Sequence, residues 1–137
     1  MVHDARIIPT YNSAQEARAK HRLDILNPWF GDSRGWYENA TLIVETININ
    51  PKQMRESPVP ITATGKITER FSRYGENEIF YQFIVDDPKL YRQPWTAELS
   101  FYPSEGPVYE YACHEGNYAM TGILAGARRN EAEAARK

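Results

Sequence analysis

Residues 66–86 read KITERFSRYGENEIFYQFIVD, two apolar-rich runs joined by a short polar turn. In each run apolar and polar side chains alternate with a period of two, which is typical of a β-strand. The GEN turn between the runs is rich in residues that tolerate positive φ angles. The stretch therefore predicts an antiparallel β-hairpin. This hairpin sets the fold class, because segments on both sides of it repeat the pattern.

The same alternation marks further strands along the chain. Adjacent strands joined by short turns form an antiparallel meander. In the strand after the hairpin, the residues expected to point inward are Trp95, Ala97, Leu99 and Phe101. The additional predicted strands are VHDARIIP (2–9, stopped by Pro9), TLIVETINI (41–49), WTAELSFY (95–102) and PVYEYACHE (107–115).

A helix is predicted near the N-terminus. Ser13 and Glu16 have the spacing of a capping box, and good helix formers follow them. Asn27 and Pro28 are expected to end the helix. The residues that would share its weakly apolar side are Tyr11, Ala14, Arg18, His21 and Ile25.

The remaining segments predict connections and a second helix. Residues 29–41 contain two glycines and predict a loop that exposes Asp32 and Arg34 between two tryptophans. Residues 50–65 contain three prolines and predict a long connection. Residues 117–129 predict a short helix, and residues 131–137 a solvated polar tail.

These elements predict a mainly β protein with one β-rich domain over residues 1–130. An up-and-down antiparallel meander favours a curved sheet or a partly closed, lipocalin-like barrel, with a short helix near the N-terminus and a helical C-terminal segment. An α+β layer, in which both helices cover one face of an antiparallel sheet, is the alternative.

Bulk composition narrows the possible partners. The chain has 137 residues and a formal net charge of −2, so no strong field favours nucleic acid or an anionic membrane. No apolar run is long enough to span a bilayer, and the first residues lack the pattern of a signal peptide. We therefore expect a soluble, cytoplasmic protein as the chain stands, and a periplasmic or secreted one if it belongs to a longer exported protein.

Two acids are placed by strand parity among apolar neighbours. Glu45 shares its side of a strand with Ile43 and Ile47, and Glu69 shares its side with Ile67 and Phe71. A carboxylate in such surroundings needs a compensating partner. One interpretation is that both acids line a cavity and that one of them transfers protons. The other is that these faces are exposed, or that each acid forms a structural ion pair; the available partners are Arg6, Arg34, Arg70 and the tyrosines.

The stretch YEYACHEGNY (109–118) gathers further polar and aromatic side chains. His114 and Glu110 are neighbours on one face of the predicted strand and could form a base with its orienting acid. A histidine that fixes the end of the strand by hydrogen bonding is the alternative. Cys113 is expected to be a small buried hydrophobe, since it faces the side opposite to His114.

Other chemistry has weak support in the sequence. The histidines lack the close spacing of a zinc site, so no metal is expected. No phosphate-binding glycine loop or nucleophile elbow is present, and no organic cofactor is expected.

Taken together, several motifs make the chain similar to a large uncharacterised family of soil and aquatic bacteria. The motifs are HDARIIP (3–9), GDSRGWYENATLIVET (31–46), ERF (69–71), DDPKLYRQPWT (86–96) and YEYACHEGN (109–117). The resemblance implies that the chain corresponds to the C-terminal domain of longer members, which often carry an export signal. It implies no activity. Because GWYENA (35–40) departs from the family pattern, a binding role for that turn is not carried over. The matching positions that the resemblance implies as candidates are Asp4, Arg6, Asp32, Arg34, Glu45, Glu69, Arg70, Asp86, Asp87, Trp95, Tyr109, Tyr111, His114, Glu115 and Asn117.

Three functions follow from these residues. The first is binding of a weakly polar or aromatic small molecule in a β cup walled by Phe71, Phe83, Trp95 and Phe101. The second is cofactor-independent acid–base catalysis, as a lyase, isomerase or hydrolase, by Glu45, Glu69 or His114. The third is self-association, as a homodimer, through an aromatic patch of Trp29, Phe30, Trp36 and Tyr37. The predicted ligand-binding residues are Arg6, Arg34, Arg70, Tyr81, Trp95, Tyr109, Tyr111 and Glu115.

Overall fold

The computed structural model of the chain describes residues 6–52, 59–107 and 118–135. These residues divide into two compact units, a sheet unit within Ala5–Glu105 and a C-terminal unit within Gly106–Lys137. The elements in chain order are β1 (Thr10–Tyr11), α1 (Ala14–Ala19), β2 (Asp32–Glu38), β3 (Thr41–Ile47), β4 (Lys66–Arg73), β5 (Ile79–Asp86), β6 (Trp95–Phe101) and α2 (Ala119–Ala134).

The six strands form one sheet in the order of the sequence, β1 to β6. β1 pairs with β2 in parallel, and every other neighbouring pair is antiparallel. The mainly β meander with two helices is thus confirmed. Among the described residues β1 and β6 each have one neighbour, so the sheet is open and does not close into a barrel.

The predicted hairpin is the centre of this sheet. β4 and β5 pair over eight residues each, from Lys66 opposite Asp86 to Arg73 opposite Ile79. The backbone N–H of Tyr74 donates to the carbonyl of Glu78 over 3.0 Å and closes the turn. Local alternation and turn chemistry were therefore sufficient to specify this part of the fold.

The two faces of the sheet carry different side chains, as the period of two requires. The helix face is defined by Asp32, Arg34, Trp36, Ile43 and Glu45, which alternate along β2 and β3 and lie under α1. The aromatic face, on the other side, is defined by Phe71, Tyr81, Phe83, Trp95 and Phe101.

On the helix face, α1 is held by a small apolar core. Ala17 is fully buried against Trp36 and Ile43. The predicted cap is confirmed, because the Ser13 hydroxyl accepts from the Glu16 N–H over 3.2 Å. The helix is shorter than predicted and ends at Ala19, so His21 lies on the segment that follows it.

Residues 29–41 do not form the expected exposed loop. Seven of them are β2, and Asp32 and Arg34 are buried. Polar residues and a glycine give this stretch a weak strand propensity, but full pairing with β3 overrides that preference. Gly31 directs the chain into β2 with φ of 75°, and a Cβ there would lie 2.8 Å from the Ile47 carbonyl oxygen.

The predicted N-terminal strand, residues 2–9, lies partly outside the described residues, and its described part does not form a strand. Residues 6–9 are not in a strand, and β1 begins only after Pro9, whose carbonyl accepts from the Gly35 N–H over 2.9 Å. Ile8 passes so close to Gly35 that a Cβ added there would lie 3.2 Å from its Cγ2 atom. The missing side chain at Gly35 thus leaves room for the N-terminal segment on the aromatic side of β2.

The aromatic face is covered at one end and open at the other. Its covered end is a core of Ile49, Ile61 and Val85, against which Phe83 and Trp95 pack. Towards the other end of β5 and β6, Ile79 and Phe101 are 44% and 43% exposed. The cover therefore stops before the strands do.

The C-terminal unit contains α2, whose 16 residues extend beyond the short helix that the sequence predicted. The expected polar tail from residue 131 is instead helical as far as Ala134. Alanine-rich sequence and an ion pair between Arg129 and Glu133, one turn apart, support this extension. No helix among the described residues is long and apolar enough to cross a membrane.

Candidate functional site

In the described part of the sheet unit, we consider three places where chemically capable side chains come together. One is a buried ionic cluster on the helix face, the second is a buried carboxylate on the aromatic face, and the third is a groove at the open end of that face.

The ionic cluster is built around Asp32, which begins β2. Its Oδ2 atom accepts from the Arg22 backbone N–H over 2.7 Å and lies 2.9 Å from His21 Nδ1. Its Oδ1 atom lies 2.7 Å from Arg34 Nη1. Arg34 also donates to the carbonyls of Lys20 and Ser33. Asp32 therefore joins the segment after α1 to the sheet.

These partners control the ionisation of Asp32. Burial by itself would raise its pKa. The hydrogen bonds from Arg22 and His21 and the charge of Arg34 outweigh burial, so the pKa lies below its ordinary value. Asp32 is thus a structural anion whose charged form is favoured by the fold.

Glu45 completes the cluster from the neighbouring strand β3. Arg18 donates to both of its carboxylate oxygens, over distances of 3.1 to 3.3 Å. Lys66 Nζ lies 4.0 Å from Glu45 Oε2, at the limit of an ion pair. The Arg18 guanidinium also lies 5.2 Å from the ring centroid of Trp36, within the range of a cation–π contact.

His21 lies between the two carboxylates. Asp32 is near its Nδ1 atom, while its Nε2 atom is 3.7 Å from Glu45 Oε1 and has no hydrogen-bond partner within the described part of the chain. A carboxylate that orients an imidazole is the arrangement of a general base. Here the Nε2 atom is buried and faces a second carboxylate, so the cluster joins α1 and the segment after it to the sheet.

The carboxylate on the aromatic face is Glu69, on β4. Its two oxygens accept from the two terminal nitrogens of Arg6, over 2.7 and 3.0 Å. The Tyr81 hydroxyl donates to the same carboxylate over 2.8 Å. Burial, together with the neighbouring Glu69 charge, raises the pKa of Tyr81 well above its ordinary value. Glu69 therefore holds the N-terminal segment against the sheet.

Glu45 and Glu69 do not line one cavity. Val44 is opposite Glu69 in the β3–β4 pairing, so Glu45, the next residue, points to the other face. The expectation that the two acids converge is wrong for this reason. Both are buried and paired with arginine, as the alternative interpretation proposed.

The groove lies where the aromatic face loses its cover. It has a volume of about 520 Å³, within the range of small-molecule sites. Leu42, Phe71, Ile79 and Phe101 contribute apolar side chains from the aromatic face. The other lining residues lie at turns and strand ends: Tyr37, Ala40, Arg73, Gly75, Glu76, Asn77, Glu78, Tyr102 and Pro103.

The rings of the aromatic face form a continuous series that reaches this groove. The ring centroids of Phe71 and Phe101 lie 4.8 and 5.2 Å from that of Tyr81. Phe83 continues the series at 5.7 Å from Tyr81, and Trp95 lies 5.7 Å from Phe83. The predicted wall of Phe71, Phe83, Trp95 and Phe101 is therefore on one face, as strand parity indicated.

The other predicted site residues are dispersed. Arg70 lies on the opposite face and pairs with Glu38 over 3.5 Å, and Arg34 belongs to the ionic cluster. Trp95 lies at the covered end, with its buried Nε1 atom unpaired among the described residues. Tyr109, Tyr111, His114 and Glu115 lie outside the described residues.

The aromatic patch proposed for self-association is divided by the fold. Trp36 is 3% exposed and belongs to the core under α1, whereas Tyr37 is 61% exposed. Trp29 and Phe30 are half-buried. Trp36 therefore does not belong to an exposed patch, and dimerisation remains a prediction.

Two sets of residues were missed as site candidates. The sequence placed His21 and Arg18 on one side of the longer helix that it predicted, which was the available signal, but their acidic partners lie 11 and 27 residues away. Glu78, Ile79 and Tyr102 were missed because nothing local indicates where the cover of a face ends. In the described part of the chain no group of three His, Cys, Asp or Glu side chains is placed to hold a metal ion.

Comparison with known proteins provides no guide to this site. No protein-family model, curated protein or solved structure matches the chain.

Proposed function

We propose that the protein binds a small, flat, predominantly apolar molecule in the groove at the open end of the aromatic face. The observation that supports this function is the groove itself, a concave space lined by apolar side chains with a few polar groups at its rim. Such a composition is usual for small-molecule sites.

The exposure of the groove residues supports the same function. Phe101 and Ile79 are nearly half exposed, and Tyr37 and Tyr102 are more exposed still. Contiguous exposed apolar surface is unfavourable in water and commonly marks a binding site. A flat aromatic guest would cover these side chains and stack on rings that are already held in position by Tyr81.

The hydrogen bonds beside the aromatic wall of the groove also favour binding. The Tyr81 ring contacts both Phe71 and Phe101 on the same face of the sheet, and three hydrogen bonds join Tyr81, Glu69 and Arg6. A wall that is ordered before binding loses little conformational entropy when a ligand arrives. In this function Glu69 and Tyr81 position the wall and do not transfer protons.

The experiment is calorimetric titration of the protein with tryptophol, a neutral indole with a short hydroxyalkyl chain. We expect saturable binding that is lost or strongly weakened in Phe101→Ala. Leu99→Ala is the matched control, because Leu99 is on the same strand and face with 41% exposure but does not line the groove. Equal affinities for these two variants, or no saturable binding to the unmodified protein, would contradict the proposal.

A further inference from the structure

Arg73 is a charged lining residue of the groove that lies on the aromatic face of the sheet. Side chains along a strand alternate between the two faces. Arg73 therefore shares its face with Phe71, two residues before it on β4, and Ile79 is opposite Arg73 in the pairing with β5. Both of these apolar residues line the groove together with Arg73. Strand parity and the lining thus agree in placing this cation beside the aromatic wall.

The carboxylate of Glu78, another lining residue, is held on the opposite face. Its Oε1 atom accepts from the Ser100 hydroxyl over 2.6 Å and from the Tyr102 hydroxyl over 3.2 Å. Ser100 precedes Phe101 on β6, so the two side chains point to different faces of the sheet. Glu78 therefore does not neutralise Arg73, and no ion pair joins them in the described part of the chain.

Arg73 differs in this respect from the two other arginines that lie on described strands. Arg34 is paired with Asp32 over 2.7 Å, and Arg70 is paired with Glu38 over 3.5 Å. Among the described residues, no acidic side chain pairs with Arg73, and its side chain is exposed. Its charge is therefore available to a ligand.

Two hydrogen bonds hold the Arg73 guanidinium at the edge of the groove. The Nε atom donates to the Gly75 carbonyl over 3.1 Å, and the Nη2 atom donates to the Glu76 carbonyl over 3.2 Å. Gly75 and Glu76 also line the groove. The guanidinium has five N–H groups, and no described residue accepts from its Nη1 atom. The bonds thus orient the cation and leave donors for a ligand.

The spacing of the strands sets the distance from this cation to the aromatic rings. Phe71 lies about 7 Å from Arg73, two residues along β4. Ile79 lies between Arg73 and Phe101 in the sheet, so Phe101 is about 10 Å away, two strand spacings. A ligand with a ring and an acid group on a short side chain has the length to reach both.

We propose that the ligand of this groove is an aromatic carboxylic acid, whose ring packs on Phe71 and Phe101 and whose carboxylate accepts from Arg73. This inference rests on the proposed function and specifies the class of ligand. A carboxylic acid is ionised at neutral pH, and the planar guanidinium matches the geometry of a carboxylate. Because backbone carbonyls already hold Arg73, it loses little side-chain entropy when the ligand binds.

Three indoles that differ in the end group of a short side chain test the inference by calorimetric titration: indole-3-acetate (carboxylate), tryptophol (hydroxyl) and tryptamine (ammonium). We expect indole-3-acetate to bind about fivefold more tightly than tryptophol at neutral pH and low salt, a modest factor because Arg73 is exposed. Tryptamine should bind most weakly of the three, because Arg73 repels its charge.

The variant that assigns this preference is Arg73→Gln, in which indole-3-acetate and tryptophol should bind with equal affinity. Tryptophol binding by the variant reports whether the groove has kept its shape. Arg70→Gln is the matched control, since it removes the same charge from the same strand but from the opposite face. The preference for indole-3-acetate should be intact in Arg70→Gln.

Salt provides a second measurement, which needs no substitution. Between about 0.01 and 1 M salt the screening length falls from about 30 to 3 Å. The preference of the unmodified protein for indole-3-acetate should therefore shrink over this range. A preference that is independent of salt would overturn the role of a charged group, even if Arg73→Gln failed to fold.

The outcomes separate the two proposals. Tryptophol binding without a preference for indole-3-acetate would overturn the acid inference and leave the binding function standing. Absence of binding by all three indoles would overturn both. A preference that persists in Arg73→Gln, or that is lost equally in Arg70→Gln, would overturn the role of Arg73.

Discussion

Two buried carboxylates in neighbouring strands of the same sheet have opposite surroundings. Glu45, on the helix face, lies in a closed cluster with Arg18, His21 and Asp32, under α1. Glu69, on the aromatic face, is paired with Arg6 and Tyr81, and the Tyr81 ring belongs to the series of rings that leads to an open groove. The comparison shows that a buried acid is a poor marker of a reaction site. On the helix face, ion pairs join α1 and the segment after it to the sheet. On the aromatic face, an ion pair lies next to exposed apolar side chains.

The largest effect should come from the centre of the closed cluster. Asp32→Asn removes the charge that Arg34 requires, and the Arg34 side chain is 8% exposed. An unpaired buried charge typically costs about 3–5 kcal/mol, so we expect a loss of that size in the free energy of unfolding measured with urea. Glu38→Gln, a half-exposed acid on the same strand, is the control and should cost below about 1 kcal/mol. Similar losses for both variants would show that the helix face does not depend on its buried ion pair.

On the aromatic face, the two partners of the Arg6–Glu69 ion pair should differ in the loss of unfolding free energy that their substitution causes, because Glu69 is the more buried of the two. Arg6→Gln leaves the Glu69 charge without its arginine, on a side chain that is 6% exposed and keeps only the Tyr81 hydrogen bond among the described residues. Glu69→Gln leaves the Arg6 charge without its carboxylate, on a side chain that is 31% exposed and able to reach water. We expect Glu69→Gln to cost about 1–3 kcal/mol and Arg6→Gln to cost more, measured by urea unfolding. The reverse order would contradict the proposed anchoring of residues 6–9 by Glu69.

Acid should affect the helix face through Asp32. The pKa of Asp32 in the folded protein is lower than that of an aspartate in the unfolded chain, which is about 3.9. The ionised Asp32 therefore stabilises the folded state fully at pH values above about 3.9. The contribution is lost as the pH falls through the folded pKa, at up to about 1.4 kcal/mol for each pH unit. Unfolding free energies measured from pH 5 to pH 2 should therefore fall less steeply in Asp32→Asn than in the unmodified protein, and identical slopes would be inconsistent with this role. Burial would raise the pKa of Asp87, but hydrogen bonds from Thr62 and Lys89 outweigh it and lower that pKa, so Asp87 contributes to the slope that remains.

Alkali should act on the aromatic face through Tyr81. Its pKa is raised in the folded protein, so the hydroxyl stays protonated above pH 10 and keeps its hydrogen bond to Glu69. The stability that this hydrogen bond contributes is lost as the pH rises through the folded pKa. We expect the ultraviolet titration of the folded protein to contain one tyrosine that ionises later than the exposed ones. That late component should be absent from Tyr81→Phe, with a loss of about 1 kcal/mol of stability for the missing hydrogen bond. A normal titration of all tyrosines would contradict the burial of this hydroxyl beside Glu69.

The smallest effect on stability should come from the open end of the aromatic face. Phe101→Ala removes a side chain that is nearly half exposed, so we expect a loss of about 1 kcal/mol or less in unfolding free energy, together with a large loss of tryptophol binding. Ile43→Ala, in the core under α1, is the comparison and should cost about 2–5 kcal/mol without altering the groove. If Phe101→Ala destabilised the protein as much as Ile43→Ala, the open end would be part of the core and not a site.

The sequence by itself determined the strands β3 to β6, their order and the composition of each of their faces. The faces depend on side chains two residues apart, and the pairing of β4 with β5 depends on a turn of a few residues, so local alternation and turn chemistry specify them. The Ser13 cap of α1 is local in the same way. Parity also predicted that Phe71, Phe83, Trp95 and Phe101 share a face, and that Glu45 and Glu69 need partners.

Tertiary structure alone decided which partner each acid takes and which surface remains open. Arg6 and Glu69 are 63 residues apart, and no local pattern relates them. β2 is a strand because β3 pairs with its whole length, against its weak propensity. The groove exists because the cover over the aromatic face ends before β5 and β6 end. The position of a cover depends on contacts between distant segments, whereas alternation in the sequence reports only that a face is apolar.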